Sequence, residues 1–169
     1  METELTDQEL TLRPYTLADA EYHLTHEDEE IEKWLSGGKS TKESVEKWIL
    51  RNADHWKNGG PIFNFAVVDN GVLVGMVEAN SDREAIRELE EGDVNISYAI
   101  FPEARGHGYA SRAVTLLMKF LKHKGFKRAI IRVEPENTAS MGVPLKLGFT
   151  HLRDPDGKEW KFVEYGKEL

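Results

Sequence analysis

The sequence predicts an α+β fold in which helices flank a mixed, mostly antiparallel sheet of about six to seven strands. Apolar residues recur at helical spacing through residues 16–58, and a hairpin pattern with a period of two follows at 62–79. Strand and helix patterns then alternate to the C-terminus. This order of elements is typical of an α+β domain, and we expect one domain over residues 1–169.

The first part of the chain predicts a short strand and then helices. Ser40 and Glu43 form a capping-box pattern at the start of the longest of these helices, and Gly59-Gly60-Pro61 ends it. The predicted elements are a strand at 10–13 and helices at about 16–25, 27–35 and 40–58.

The middle of the chain predicts a hairpin and a further strand. Residues 62–69 are β-branched and aromatic, and Asn70-Gly71 is the favoured two-residue hairpin turn. Residues 72–79 return as the partner strand. After a charged connection at 81–92, residues 94–100 form a third strong strand.

The C-terminal part alternates helices and strands. An amphipathic helix is expected over residues 108–124, and Gly125 stands in the usual position after its end. The remaining predicted elements are strands at 128–134, 149–153 and 159–168 and a helix at 137–147.

Composition narrows the classes of function. The chain has 169 residues, no cysteine and a net charge of −8. Without cysteine, disulfides and acyl-cysteine intermediates are excluded. The negative charge does not suit a nucleic-acid partner, and no apolar run is long enough to span a membrane. Because residues 1–10 lack the pattern of a signal peptide, we expect a cytoplasmic protein, either a monomer or a homodimer.

The segment Arg105-Gly106-His107-Gly108-Tyr109-Ala110 is the most informative part of the sequence. It connects a predicted strand to a predicted helix. Glycines allow a ligand to approach the backbone, and the free N–H groups and positive dipole end of a helix suit a phosphate. Arg105 adds a fixed positive charge. By itself, such a loop is also compatible with a simple strand-to-helix turn.

A second motif follows about thirty residues later. Asn137-Thr138-Ala139-Ser140 precedes Gly148-Phe149. Together the two segments resemble the GNAT superfamily of N-acyltransferases, whose motifs read Arg/Gln-x-x-Gly-x-Gly/Ala and Asn-x-x-Ser/Ala followed by Gly-Phe. The resemblance is strongest over residues 94–150, and the whole chain is loosely similar to the branch containing the ribosomal-protein N-terminal acetyltransferases.

The resemblance implies that acetyl-CoA is the acyl donor and that no metal takes part. The strands at 94–100 and 128–134 should splay apart, with pantetheine in the gap, bonded by the backbone of Ile100 and Phe101 and by the side chain of Asn137. The loop residues expected to hold the pyrophosphate are Arg105, Gly106, His107, Gly108, Tyr109, Ala110 and Ser111.

The resemblance also suggests catalytic residues. We predict Glu78 as the general base, with Asp93 and Glu134 as competitors. We predict Ser140 as the acid that protonates the leaving thiolate. Many family members place a tyrosine seven residues after the motif asparagine, but here that position is Pro144, which has no proton to donate.

Pro144 also affects the expected helix. A proline inside a helix costs about 3 kcal/mol, so we expect the helix to start near Ser140, with Pro144 near its first turn. The altered segment leaves a second function open, that of a catalytically inactive CoA-binding sensor or regulatory domain.

The acceptor is expected to be a primary amine on a peptide N-terminus, a polyamine or a small molecule. Two acidic clusters, at 27–32 and 82–93, favour a cationic acceptor if they face the channel, although both also suit solvated helix faces. Tryptophans 34, 48 and 56 are more typical of core packing than of a pocket wall. His23 and His26 lack the further ligands of a metal site.

Overall fold

The computed structural model describes residues 3–169, so Met1 and Glu2 of the segment used to expect a cytoplasmic protein lie outside it. Within the described residues, eight strands form one sheet in the order β1-β2-β3-β4-β5-β6-β8-β7. Neighbouring strands are antiparallel except β5 and β6, which are parallel. The strands are β1 Leu5–Asp7, β2 Leu10–Arg13, β3 Ile62–Asp69, β4 Val72–Asn80, β5 Asp93–Ile100, β6 Arg128–Val133, β7 Thr150–Arg153 and β8 Val163–Glu168.

The sheet is therefore mixed and mostly antiparallel, as predicted, but it has one strand more than expected. The additional strand is β1, which pairs with β2. Strand β1 has only three residues, some of them polar, and is too short to show the alternation of a strand in the sequence. The turn that connects it to β2 has Gln8, rather than glycine, at a positive φ of 56°. The turn signal was therefore missing from the sequence.

Helices cover both faces of the sheet. They are α1 Ala20–His26, preceded by a 3₁₀ turn at Leu17–Asp19; α2 Glu29–Ile31, which continues into a π-helical turn at Glu32–Ser36; α3 Lys42–Asn58; α4 Tyr109–His123; and α5 Thr138–Lys146. No helix among residues 3–169 is both long and apolar enough to cross a membrane.

Helix α3 starts one residue later than predicted. Thr41, not Ser40, is its N-cap, and the residue that completes the capping box is Ser44, not Glu43. The Ser44 N–H donates to Thr41 Oγ1 at 3.1 Å, while the Thr41 N–H donates to Ser44 Oγ at 2.9 Å. A Thr-x-x-Ser pair thus satisfies the two backbone donors that the Ser40–Glu43 pair was expected to satisfy.

Each face of the sheet buries its own apolar cluster. On one face, Leu117 and Leu121 of α4 pack against Phe65 of β3. On the other face, Ile49 of α3 packs against Met76 of β4. Because side chains alternate across a strand, residue parity in β3 and β5 decides which helix layer each side chain meets, whereas the irregularity at Val74 shifts this alternation along β4.

Strands β5 and β6 are paired at one end and separated at the other. Their ladder covers Asp93–Asn95 of β5 and Arg128–Ile130 of β6, although β5 continues to Ile100 and β6 to Val133. Asp93 and Arg128 close the paired end with two hydrogen bonds of 2.7 and 2.8 Å. This geometry confirms the predicted splay in the middle of the sheet.

Candidate active site

A cavity of about 370 Å³ occupies the gap between β5 and β6. Its walls come from these two strands, the loop before α4, α5 and the α2 segment. The predicted site residues that line it are Ile100, Arg105, Gly106, Gly108, Tyr109, Ala110, Ser111, Asn137 and Ser140. Phe101, His107 and Glu78 lie elsewhere.

The backbone of Ile100 faces the gap. The N–H of Phe101 donates to the carbonyl of Val74 at 2.9 Å, and Gly75 is the cross-strand partner of Ile100. In an antiparallel ladder this pattern makes Gly75 and Ile100 a non-hydrogen-bonded pair. The N–H of Ile100 consequently points away from β4 and toward β6, where a ligand can accept it.

Gly75 allows β4 and β5 to approach each other at this point. A Cβ atom at Gly75 would overlap the carbonyl oxygen of Ala99 and lie 2.9 Å from Cα of Ile100. Any larger side chain would push β5 away. The absence of a side chain at Gly75 therefore helps to set the position of Ile100 in the cavity wall.

Phe101 does not take the predicted role. Its N–H is bonded to Val74, and its carbonyl accepts the N–H of Ala104 at 2.9 Å. Its side chain is buried in the cluster beneath α1 and α3. Both backbone groups have protein partners because the chain turns into a 3₁₀ segment directly after Phe101, and we leave this residue out of the proposed site.

The N-terminus of α4 lies at the mouth of the cavity. Gly106 and Gly108 have φ values of 79° and 75°, a region that favours glycine. Gly108 is the N-cap and provides no side-chain cap. The first N–H groups of this 15-residue helix therefore lack intrahelical partners and form a site for an anion. Nζ of Lys146, which sequence reasoning did not select, lies 3.8 Å from the position that a Cβ of Gly108 would occupy.

The side chains of Tyr109 and His107 make contacts on the side of this loop that faces away from the cavity. The Tyr109 hydroxyl donates to Asp69 at 2.6 Å, which joins the start of α4 to the β3–β4 hairpin. The His107 ring stacks on Tyr109 with centroids 5.8 Å apart. His107 lines a second cavity, of about 360 Å³, on the far side of the loop.

Arg105 has a protein partner in this structure. Its guanidinium makes two hydrogen bonds to Asp28, of 2.6 and 3.0 Å, and its Nε donates to the carbonyl of Ile100 at 3.0 Å. The hydrogen bond from Arg105 lowers the pKa of Asp28 below its usual range. Arg105 thus connects the loop before α4 to the N-cap of α2, and phosphate binding by this residue stays a prediction.

Helix α5 starts earlier than we expected. Asn137 is its N-cap, and the side-chain oxygen of Asn137 accepts the N–H of Ser140 at 3.4 Å. The expectation of a start near Ser140 is wrong, because Pro144 lies inside the helix and does not displace its first turn. Asn137 and Ser140 consequently lie side by side on the cavity wall.

Glu78 does not line the cavity, but it is the cross-strand neighbour of a residue that does. Its carboxylate accepts a hydrogen bond from Nδ2 of Asn64 at 2.9 Å, and burial raises its pKa above the usual range. Ser97, its cross-strand partner in β5, does line the cavity. The raised pKa suits a group that must accept a proton near neutral pH.

The two competitors of Glu78 have different surroundings. Asp93 is buried at the paired end of β5 and β6 and is bonded to Arg128, so it belongs to the fold rather than to the cavity. Glu134 lines the cavity and lies 2.8 Å from Nζ of Lys161.

One wall of the cavity was missed by sequence reasoning. Trp34 and Leu35 of the π-helical turn, Arg132 of β6 and Phe162 come together there. The Arg132 guanidinium lies 5.3 Å from the Phe162 ring centroid, and its Nε donates to Asn95 at 3.2 Å. Trp34 was expected in the core from its helical spacing. The structure places it on the cavity wall instead, because the π-helical turn opens onto the cavity, which helical spacing does not reveal.

The other two predicted core tryptophans do pack internally. Trp48 lies 4.9 Å from Tyr15 between ring centroids, and Trp56 lies 4.9 Å from Phe65.

Several acidic side chains of the two clusters have basic neighbours. Glu27 lies 3.1 Å from His23, Asp28 pairs with Arg105, and Arg132 lies 3.5 Å from Glu88. Glu90 and Asp93 both pair with Arg128. The acidic side chains that line the cavity are those of Glu30 and Glu134.

The histidines are not arranged around a metal. Nδ1 of His23 lies 3.2 Å from the Tyr15 hydroxyl, and its Nε2 faces Glu27. Among residues 3–169, no group of three or more histidine or carboxylate side chains is placed to hold a metal ion.

A sheet splayed between two parallel strands, with a glycine-rich helix N-terminus at the mouth of the gap, defines the acetyltransferase class of fold. The family model described as an acetyltransferase (GNAT) domain matches residues 9–150. The chain belongs to the GNAT family and carries its acetyltransferase domain.

Individual proteins agree with this assignment. N-alpha-acetyltransferase 30 of Schizosaccharomyces pombe is 28% identical over 120 residues, which are 68% of this chain and 73% of that protein. The structure of a ribosomal-protein-serine acetyltransferase from Vibrio cholerae superimposes with a TM-score of 0.79 at 20% identity, covering 98% and 97% of the two chains. The microcin C7 self-immunity acetyltransferase MccE, in complex with acetyl-CoA and AMP, gives 0.78 at 18% identity, covering 96% and 94%. At these identities the two structures support the fold.

Proposed function

We propose that the protein transfers an acetyl group from acetyl-CoA to a primary amine by direct attack in a ternary complex. The observation that carries this proposal is the gap between β5 and β6, with the N–H of Ile100 turned into it and the N-terminus of α4 at its mouth. The acetyl-CoA complex of the structurally similar MccE supports the choice of donor.

The protein groups available for acetyl-CoA follow from the cavity. The edge of β5 at Ile100 offers backbone groups to pantetheine, and the Asn137 side chain lies on the opposite wall. The N–H groups at the start of α4 would bind the pyrophosphate, helped by the helix dipole. Lys146 adds a positive charge beside Gly108.

The reaction requires two proton transfers. The amine nitrogen attacks the thioester carbon, the bond from carbon to sulfur breaks, and the N–H of Ile100 stabilises the developing charge on oxygen. Glu78, whose cross-strand partner Ser97 lines the cavity, accepts the proton lost by the amine. Ser140 donates its hydroxyl proton to the departing thiolate and takes up a proton from solvent in return. General acid–base steps of this kind contribute about 10²–10⁴ each to the rate.

The α-amine of a peptide is the first acceptor to test. The names of the similar N-alpha-acetyltransferase and of the ribosomal-protein-serine acetyltransferase support this class. Glu30 and Glu134 place two carboxylates on the cavity wall, where an ammonium group would compete with Arg105, 3.4 Å from Glu30, and with Lys161, 2.8 Å from Glu134.

The first experiment measures thiol release from acetyl-CoA with a panel of peptides, polyamines and amino-group small molecules, against an amine-free blank. We expect release that depends on one class of amine. If no amine supports release while acetyl-CoA still raises the melting temperature, the protein is the CoA-binding sensor. If no amine supports thiol release and acetyl-CoA also leaves the melting temperature unchanged, the proposal is wrong.

The second experiment tests the base. Because the pKa of Glu78 is raised, the rate should fall on acidification through a pH above the ordinary glutamate range, and Glu78→Gln should abolish this limb. Glu134→Gln is the matched control, since Glu134 lines the cavity but pairs with Lys161. A pH profile that changes in the control and not in Glu78→Gln would assign the base to Glu134.

A further inference from the structure

Pro144 leaves one backbone carbonyl of α5 without its usual donor. In an α-helix the N–H of residue 144 would bond the carbonyl of Ser140, but proline has no N–H. Pro144 is buried and lies inside α5, six residues after its start at Thr138. The missing bond is therefore in the turn that carries Ser140.

Tyr98 occupies the place of this donor. Its hydroxyl donates to the carbonyl of Ser140 at 2.6 Å, although the two residues are 42 positions apart. Tyr98 is a β5 residue on the sheet face that α4 and α5 cover, and it lines the same cavity as Ser140. Burial raises the pKa of Tyr98 above its usual range, so the hydroxyl stays protonated and can donate at any working pH.

Ser140 is consequently held by both of its backbone groups. The Asn137 side chain accepts its N–H, and the Tyr98 hydroxyl donates to its carbonyl. The second bond crosses from β5 to α5 beside the gap where β5 and β6 are separated. It supplies the Ser140 carbonyl with a donor and so stabilises the helical turn that carries Ser140.

We propose that Tyr98 is a positioning residue, whose hydroxyl replaces the backbone donor that Pro144 lacks and thereby holds Ser140 against the acyl-CoA cavity. This inference rests on the proposed role of Ser140 as the acid.

A double-mutant cycle tests the proposal. Tyr98→Phe removes the hydroxyl, and Pro144→Ala supplies a backbone N–H to the Ser140 carbonyl. We expect Tyr98→Phe to lower kcat about tenfold, with little change in KM for acetyl-CoA. Adding Pro144→Ala to Tyr98→Phe should restore kcat to within about threefold of the native protein. Tyr165→Phe, which alters a buried tyrosine of β8, is the matched control and should leave kcat unchanged.

Two outcomes would overturn the proposal. If Tyr98→Phe keeps the native kcat, the hydroxyl positions nothing. If Tyr98→Phe is impaired and Pro144→Ala does not restore it, the hydroxyl acts on the substrate rather than on the Ser140 carbonyl.

The Ser140→Ala variant separates this test from the proposed function. We expect Tyr98→Phe to have little further effect in a Ser140→Ala background, since the two residues would act as a unit. If Ser140→Ala alone keeps the native kcat, the acid role fails. The cycle is then read from melting temperatures, where coupling between Tyr98→Phe and Pro144→Ala still supports the hydrogen-bond replacement and its absence refutes it.

Discussion

Replacing Gly75 by alanine tests whether the close approach of β4 and β5 sets the position of Ile100. The new methyl group would overlap the Ala99 carbonyl and lie 2.9 Å from Cα of Ile100. Both obstacles are backbone atoms, so no side-chain rotation relieves the overlap. Inserting a methyl group into a packed site typically costs about 1–3 kcal/mol.

This cost converts to a measurable change in melting temperature. For a chain of this size, 1 kcal/mol corresponds to about 2–4 °C, so Gly75→Ala should lower the melting temperature by about 2–12 °C. The displaced Ile100 should also weaken acetyl-CoA binding. We therefore expect a smaller rise in melting temperature when acetyl-CoA is added to the variant than when it is added to the native protein.

Gly142→Ala is the matched control. Gly142 lies inside α5, and an added Cβ there would have no neighbour within 4 Å. Replacing an interior helical glycine by alanine stabilises by about 0.5–1 kcal/mol, so the same chemical change should raise the melting temperature. A Gly75→Ala variant as stable as the native protein, with an undiminished response to acetyl-CoA, would refute the role we assign to Gly75.

Three further variants test charges around the site. Asp28→Asn should weaken the hold on the Arg105 guanidinium, leaving Glu30 at 3.4 Å as its remaining carboxylate partner, and should strengthen binding of CoA but not of a dephosphorylated pantetheine analogue, as compared by calorimetry; an equal gain for both would exclude a phosphate contact. Asp19→Asn should cost about 1.5–3 kcal/mol at pH 7 in urea unfolding, because Asp19 is buried and paired with Arg13 at 2.8 Å. Burial alone would raise the pKa of Asp19, but the hydrogen bonds from Arg13 and Thr16 outweigh burial, and the pKa is lowered. The stabilisation from the charged Asp19 is therefore present above about pH 4 and should disappear as the pH falls through the folded-state pKa. A cost of Asp19→Asn that persists at the lower pH would contradict the assignment. Since burial raises the pKa of Glu78, the charged form destabilises the fold at neutral pH, and Glu78→Gln should melt at a higher temperature at pH 7, with a difference that shrinks in acid; a lower melting temperature at pH 7 would refute this.

The elements around the cavity were largely predictable from the sequence. A change from strand to helix periodicity and the glycines at the helix boundary predict the strand that ends at Ile100, the glycine loop and α4. These signals are local, because they depend on residues within one or two turns of each other.

Local signals failed where a distant residue decides the structure. Pro144 does not displace the start of α5, and the donor that it lacks is replaced by the hydroxyl of Tyr98, which is far away in the sequence. The pairing of Arg105 with Asp28 spans 77 positions and left no trace in either segment. Sequence patterns list the charges and donors of a chain, but the topology of the sheet determines which of them meet.

The wall formed by Trp34, Arg132 and Phe162 was the least predictable part of the cavity. Trp34, Arg132 and Phe162 belong to three distant segments, and each has an ordinary local environment in the sequence. They line one wall only because the π-helical turn and the segment before β8 both reach the gap between β5 and β6. No local periodicity encodes such an arrangement.

The short ladder between β5 and β6 makes the sheet two blocks joined by a narrow seam. Three residue pairs, at Asp93–Asn95 and Arg128–Ile130, connect the block β1–β5 to the block β6–β8. A bound molecule can hydrogen-bond the backbone groups along the unpaired part of β5 and β6, as a further strand would. Its binding free energy would then stabilise the association of the two blocks. Amide exchange at Tyr98 and Ile100 should therefore slow more on ligand binding than exchange in the continuous ladder of β3 and β4.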